Sequence, residues 1–160
     1  MESGDVTWIL VSSALVLFMT PGLALFYGGM VRSKNVLNML LMNVYCMGIV
    51  PIVWVLVGYS LVTGEGPAAG VIGTLEYAGM AGVVDPEEIL FAFFAMTFAV
   101  ITPALISGGV ADRMKWRAWA VFVPVWVLVV FVPVFYWIYG PNGWLEERGS
   151  LDFAGGTAIH

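Results

Sequence analysis

Charged residues are scarce in this 160-residue chain, where Asp, Glu, Lys and Arg together make up 11%. A typical soluble domain has about 25%. Apolar residues reach 61%, and the mean hydropathy is +0.94. So few charges cannot cover a surface that faces water, and the composition therefore predicts an integral membrane protein. Six Lys and Arg against eleven Asp and Glu also exclude the basic surface that a nucleic-acid-binding protein needs.

Cysteine and histidine each occur once, as Cys46 and His160. A single cysteine excludes a disulfide framework and a Cys-based metal cluster. A haem-bearing membrane subunit is disfavoured as well, because haem b between helices usually needs paired histidines. The sequence contains no recognisable phosphate-binding Gly-rich loop, nucleophile triad or carboxylate pair. We therefore expect neither an enzyme nor a bound metal or cofactor.

Four apolar runs are long enough to cross a hydrocarbon core of about 30 Å, which takes around 20 residues in a helix. They cover residues 7–31, 36–62, 89–110 and 119–139. The stretch between the second and third runs is rich in Gly and acidic residues, and we expect a loop there. Each run contains at least one proline, which removes a helical hydrogen bond. Such helices persist in membranes where neighbours supply the missing partner, so the runs predict a packed bundle.

The basic residues predict the orientation of these spans. Five of the six fall on one side of the predicted membrane, namely Arg32, Lys34, Arg113, Lys115 and Arg117. The positive-inside rule assigns that side to the cytoplasm. We therefore expect a multi-pass protein of the cell membrane whose N-terminus lies outside.

The last segment, LDFAGGTAIH, predicts a helix that Asp152 caps and that runs to His160. Nine helical residues rise only ~13 Å, too little to cross a membrane. A re-entrant piece is one explanation. We favour the other, an incomplete fifth span of a longer chain, because a terminus inside hydrocarbon would carry unpaired carbonyl groups.

Three motifs carry a family resemblance: TPGLALFYGGMVRSKNVLNML, ITPALISGGVADRMKW and LDFAGGTAIH. Together they resemble the ammonium transporter family (Amt/Mep, related to the Rh proteins), and the resemblance covers essentially the whole chain. It implies an all-α, eleven-helix bundle built from an inverted repeat and assembled as a homotrimer, with one narrow pore in each subunit. Residues 1–160 would then be the N-terminal part of one transmembrane domain, with four full helices and the start of a fifth.

The resemblance also assigns pore residues. Phe98 matches a phenylalanine that stacks across the outer mouth of the pore, and Phe94 matches another ring of the outer vestibule. Asp152 matches an aspartate that supports this region. His160 matches the first of two pore histidines. Without the resemblance, packing roles for both rings and an interhelical hydrogen bond for His160 would explain the same residues.

One further aromatic near the end of the fourth helix, usually tryptophan, helps to bind the ammonium ion in the family. The loop here departs from the usual pattern by one extra residue. Tyr139 falls most naturally at that position, and Trp137 and Trp144 are the alternatives.

The implied function is transport of ammonium or ammonia through a pore with an outer aromatic recruitment site and a deep histidine. A cytoplasmic regulatory protein is the further partner that we consider. The alternative function is an ammonium sensor, in which the same bundle is fused to a signalling domain.

Overall fold

Four long helices form the computed structural model, which describes residues 1–65 and 70–160. Their bounds are Ser3–Met30 (α1), Ser33–Thr63 (α2), Pro86–Gly109 (α3) and Trp116–Tyr139 (α4). All four are long and apolar enough to cross a membrane, as predicted. Each begins three or four residues before its apolar run. In α3 the Asp85 side chain caps that turn by accepting a hydrogen bond from the Glu87 backbone N–H at 2.9 Å.

Helices α2 and α4 each change their winding partway along. In α2 an α-helix at Val36–Val53 gives way to a π-helix at Trp54–Gly58 and then to an α-helix at Tyr59–Thr63. In α4 the corresponding pieces are Trp116–Trp126, Val127–Phe131 and Val132–Tyr139. Both π-helices begin three residues after a proline, Pro51 or Pro124. The wider turns thus follow the points at which proline interrupts the hydrogen-bond ladder.

Aromatic side chains of α2 donate hydrogen bonds to main-chain carbonyl groups of the neighbouring helices. The Trp54 indole donates to the Ala92 carbonyl of α3 at 3.1 Å, and the Tyr45 hydroxyl donates to the Ala120 carbonyl of α4 at 2.8 Å. Pro124 has no N–H, so Ala120 would otherwise lack its helical partner. The neighbouring helix therefore supplies the missing hydrogen bond, as the packed bundle predicts.

Charges separate to the two ends of the bundle. At one end the Asn35 amide donates to the Asp112 carboxylate, and the Arg32 guanidinium lies 3.9 Å from the same carboxylate. At the opposite end the N-terminal ammonium group pairs with Glu87. The first end, called the basic end below, carries Arg32, Lys34, Arg113, Lys115 and Arg117, and the other, the acidic end, carries Glu2, Asp5, Asp85, Glu87 and Glu88.

Two segments outside the long helices are mostly turns. The loop between α2 and α3 contains one short 3-10 helix at Ala78–Met80, within its described part. Residues 151–160 also form turns, which differs from the helix predicted after Asp152. Gly155 is the physical reason, because its φ of 77° lies in the left-handed region and interrupts a right-handed helix.

Candidate functional site: two cavities separated by Ile159

A cavity of about 600 Å³, called the aromatic cavity below, lies between α2, α3, α4 and the turn that follows Asp152. Eight of its lining residues are aromatic: Trp54, Tyr59, Phe91, Phe94, Phe98, Phe135, Tyr139 and Phe153. Phe153 lies at the exposed rim. Tyr59 places this cavity toward the acidic end, because its hydroxyl donates to the Glu88 carboxylate at 2.8 Å.

The rings form two packed pairs on facing helices. On α3, Phe94 and Phe98 are one turn apart and pack edge to face, with ring centroids separated by 5.0 Å. On α4, the ring centroids of Phe135 and Tyr139 are 4.9 Å apart. Trp54 of α2 meets Phe135 at 6.3 Å between centroids. Aromatic faces of this kind attract ammonium-type cations.

The three candidates for the aromatic at the end of α4 lie in different places. Tyr139 lines the aromatic cavity. The Trp137 indole instead donates to the Val71 carbonyl at 2.7 Å, and its ring packs against Trp144. Trp144 itself lies under the Arg148 guanidinium, at 4.9 Å from ring centroid to Cζ. Trp137 and Trp144 therefore hold the loops at the acidic end together, and of the three only Tyr139 lines the aromatic cavity.

Asp152 organises the turn at the edge of this cavity. Its carboxylate accepts hydrogen bonds from the backbone N–H groups of Gly156, Thr157 and Ala158 at 2.7, 2.9 and 3.2 Å. Its main-chain carbonyl accepts one from the Tyr139 hydroxyl at 2.8 Å. Partial burial raises the pKa of Asp152, but the three backbone donors lower it more, so the pKa lies below its ordinary value. Asp152 thus connects Tyr139 with the segment that ends in His160.

A second cavity of about 390 Å³, called the histidine cavity below, lies on the other side of Ile159. Ile159 lines both cavities. His160 lines the histidine cavity together with Thr102, which is one helical turn beyond Phe98 on α3. The structure therefore places Phe98 and His160 in adjoining cavities.

Sequence reasoning missed several lining residues, chiefly Trp54, Tyr59, Phe91, Phe135 and Phe153. For Phe135 a signal was present, since it lies four residues before Tyr139 and so shares its helix face. Phe91 had a similar signal, since it lies three residues before Phe94 on the same helix face. The other three residues had no comparable signal.

The Ammonium Transporter Family profile matches residues 7–160. The chain belongs to this family. It is 46% identical to the ammonium transporter of Bacillus subtilis, over 100% of this chain and 41% of the relative. It is 40% identical to ammonium transporter Amt1 of Archaeoglobus fulgidus, over 100% of this chain and 40% of the relative. The chain thus spans about two fifths of the length of these ammonium transporters.

Solved structures agree with this membership and with the predicted all-α membrane fold. Candida albicans Mep2 matches with a TM-score of 0.91 and 33% identity, over 100% of this chain and 36% of Mep2. A structure described as a sensor Amt protein matches with a TM-score of 0.90 and 25% identity, over 98% of this chain and 40% of that protein. The present chain is therefore a multi-pass membrane protein with the ammonium transporter fold.

Proposed function

We propose that this chain is the N-terminal part of an ammonium transporter and that the aromatic cavity recruits the ammonium ion. The aromatic cavity carries the proposal. Its walls combine rings from three helices, and none of its lining residues in the described parts of the chain is charged. A cation can therefore gain the attraction of several ring faces without the cost of a buried carboxylate.

The histidine cavity takes the second role in this proposal. A narrow apolar passage opposes an unpaired ion, because moving it into a low dielectric costs far more than ring contacts return. Ammonium, unlike potassium, can cross such a passage as ammonia after it releases a proton. The His160 imidazole can accept a hydrogen bond from ammonia or relay the proton. Ionisable residues inside the membrane are rare, which supports a functional role for His160.

Transport by the full-length protein in reconstituted vesicles tests this function. We expect inward ammonium flux well above that of empty vesicles, together with discrimination against potassium. Phe98→Leu should reduce ammonium flux, because it keeps an apolar side chain of similar size and removes the ring face. Phe18→Leu on α1 is the matched control, because Phe18 is 71% exposed on the outer surface of the bundle. Equal fluxes for the two variants would contradict the recruitment role.

The orientation belongs to the same proposal, with the acidic end outside and the basic end in the cytoplasm. In a Cys46→Ser background, single cysteines at Glu76 and Trp144 should react with a membrane-impermeant thiol reagent in intact cells. A cysteine at Lys115 should not react. Labelling at position 115 alone would show that the orientation is the reverse of the proposed one. The homotrimer and a regulatory protein bound at the cytoplasmic face complete the assembly that we propose.

An ammonium sensor is the second candidate, and the structural match to the sensor Amt protein favours keeping it. The complete reading frame distinguishes the two functions. A kinase or cyclase module after the last transmembrane helix would support sensing, whereas its absence would support transport alone.

A further inference from the structure

A hydrogen bond from the Tyr59 hydroxyl to the Glu88 carboxylate joins α2 to α3 at the acidic end, with 2.8 Å between the two oxygens. Tyr59 lines the aromatic cavity and is only 4% exposed. Glu88 is half-buried and does not line the cavity. The carboxylate therefore lies one hydrogen bond behind the cavity wall.

The position of Glu88 along α3 also places it beside the aromatic cavity. Glu88 precedes Phe91, Ala92 and Ala95 by three, four and seven residues. All three of these residues line the cavity. Residues at such spacings share one face of a helix. Glu88 thus continues the cavity-lining face of α3 by one turn toward the acidic end.

The charge of Glu88 is not neutralised by a basic group. In residues 1–65 and 70–160 no salt bridge involves Glu88, whereas the adjacent Glu87 pairs with the N-terminal ammonium group. The partner of Glu88 is the phenol of Tyr59, which carries no charge. A hydrogen bond to a carboxylate is about twice as strong as one between neutral groups. The negative charge is therefore held firmly against one wall of the cavity.

A carboxylate in this place strengthens the attraction of the cavity for a cation in two ways. Its field extends into the cavity, since apolar walls screen a charge less than water does. It also polarises the phenol, and the added electron density on the ring strengthens a cation–π contact. Because Glu88 does not line the cavity, the ion gains this attraction without forming an ion pair that would hold it in place.

We propose that Glu88 is a positioning residue for ammonium recruitment and that it acts through Tyr59. It fixes the Tyr59 ring in the cavity wall and raises the affinity of the aromatic cavity for ammonium. This inference rests on the proposed recruitment of ammonium by that cavity. The rival explanation is a structural one, in which the hydrogen bond only fastens α2 to α3.

Ammonium uptake by the full-length protein in reconstituted vesicles, measured over a range of concentrations, separates the two explanations. Glu88→Gln removes the charge but keeps an oxygen that can accept from the Tyr59 hydroxyl, so it preserves a structural role. Glu87→Gln is the matched control, because it removes the same charge from the adjacent residue, which is also half-buried and does not line the cavity. Tyr59→Phe, alone and combined with Glu88→Gln, tests whether Glu88 acts through the phenol.

We expect Glu88→Gln to raise the ammonium concentration needed for half-maximal uptake by about threefold. The maximal rate should stay the same, because the histidine cavity is unchanged. Glu87→Gln should change the half-maximal concentration by less than about 1.5-fold, since its charge is already paired. In the Tyr59→Phe background, Glu88→Gln should have a smaller effect, because the polarised phenol is gone.

Three results would overturn the inference. An unchanged half-maximal concentration in Glu88→Gln would show that the hydrogen bond is structural. Equal increases in Glu87→Gln and Glu88→Gln would indicate a general attraction of cations to the acidic end. An undiminished effect of Glu88→Gln in the Tyr59→Phe background would show that Glu88 does not act through Tyr59.

The comparison of Phe98→Leu with Phe18→Leu, described above, keeps this inference distinct from the proposed function. If Phe98→Leu reduces the flux and Glu88→Gln behaves as the unmodified protein, recruitment by the aromatic cavity stands and the role of Glu88 falls. If Phe98→Leu and Phe18→Leu give equal fluxes, recruitment itself is contradicted, and the role of Glu88 falls with it.

Discussion

The aromatic cavity and the histidine cavity adjoin at Ile159, but their walls offer different chemistry to a cation. In the aromatic cavity the hydroxyl groups of Tyr59 and Tyr139 already donate to protein oxygens, at 2.8 Å each, so the ring faces dominate. In the histidine cavity the imidazole of His160 is exposed, beside two threonines, Thr102 and Thr157. The first cavity suits an ion that keeps its charge. The second suits a molecule that exchanges hydrogen bonds.

Removing the imidazole is the sharpest test of this difference, and we expect the largest effect from it. In the full-length protein, His160→Ala should reduce ammonium flux by about tenfold or more, because a hydrogen bond with a charged partner contributes about 1.5–3 kcal/mol. Relaxed discrimination against potassium is the other expected effect, since water can fill the vacated space. Both are measured as fluxes into reconstituted vesicles. Leu105→Ala enlarges the same cavity without removing the imidazole and is the control. Wild-type flux and selectivity in His160→Ala would leave His160 with a structural role.

Removing a ring from the aromatic cavity should have the next largest effect. Phe98→Ala should raise the ammonium concentration needed for half-maximal uptake by about fivefold, because a cation–π contact contributes about 1 kcal/mol. Selectivity against potassium should change less than in His160→Ala, since the imidazole remains. Uptake measured over a range of ammonium concentrations separates these effects. If uptake by Phe98→Ala depended on the ammonium concentration as in the unmodified protein, Phe98 would have only a packing role.

The stability of the folded protein should depend on pH through Asp152, which lies in the turn between the two cavities. Its pKa is lowered in the folded protein, so the ionised carboxylate stabilises the fold above the unfolded-state pKa of about 4. This stabilisation is lost as the pH falls through the lower folded-state pKa. Asp152→Ala should reduce stability at neutral pH by about 1 kcal/mol, as for the loss of a helix cap. Thermal unfolding in detergent at pH 7 and at acidic pH measures this.

The control for Asp152→Ala is Glu76→Ala, which removes an exposed carboxylate from the loop between α2 and α3. We expect the difference in Tm between Asp152→Ala and the unmodified protein to shrink as the pH falls. A difference that stays constant with pH would show that the ionised carboxylate is not the stabilising group.

Tyr139 should give the smallest effect, because its ring is 42% exposed and a cation–π contact at an exposed site contributes about 0.5–1 kcal/mol. Tyr139→Leu should therefore weaken recruitment by about threefold. Tyr139→Phe keeps the ring and removes only the hydrogen bond to Asp152, so recruitment should change less. Trp137→Leu and Trp144→Leu, measured in the same uptake assay, should leave it unchanged. A larger loss of uptake in either tryptophan variant would indicate that this tryptophan, and not Tyr139, is the recruiting aromatic.

Composition was sufficient to predict the four spans, because a long apolar run has few alternatives to a membrane helix. The cavities were harder to predict. In a helix that is apolar on all sides, the face toward lipid looks like the face toward a cavity. Trp54 illustrates this. It lies at the start of a π-helix and lines the aromatic cavity, and the spacing of apolar residues in the sequence predicts neither feature. The pore roles of Phe98 and His160 were predicted through the family motifs.

The turn after Asp152 failed as a predicted helix for a local reason. The sequence indicated a cap, and the carboxylate does accept three backbone N–H groups. The positive φ of Gly155 then breaks the helix that the cap would start. Backbone conformation at a single glycine is beyond what residue type alone specifies, because glycine adopts left- and right-handed conformations with similar ease.

The hydrogen bond from Tyr45 to the Ala120 carbonyl also bears on the order in which the chain is assembled into a membrane. A ribosome releases α2 before α4, so the donor is in place when Pro124 and its unpaired acceptor arrive. Helix α4 alone would expose that carbonyl to lipid at a cost of several kcal/mol. Contact with α2 therefore stabilises the inserted α4, so two spans that are not consecutive in the chain depend on each other.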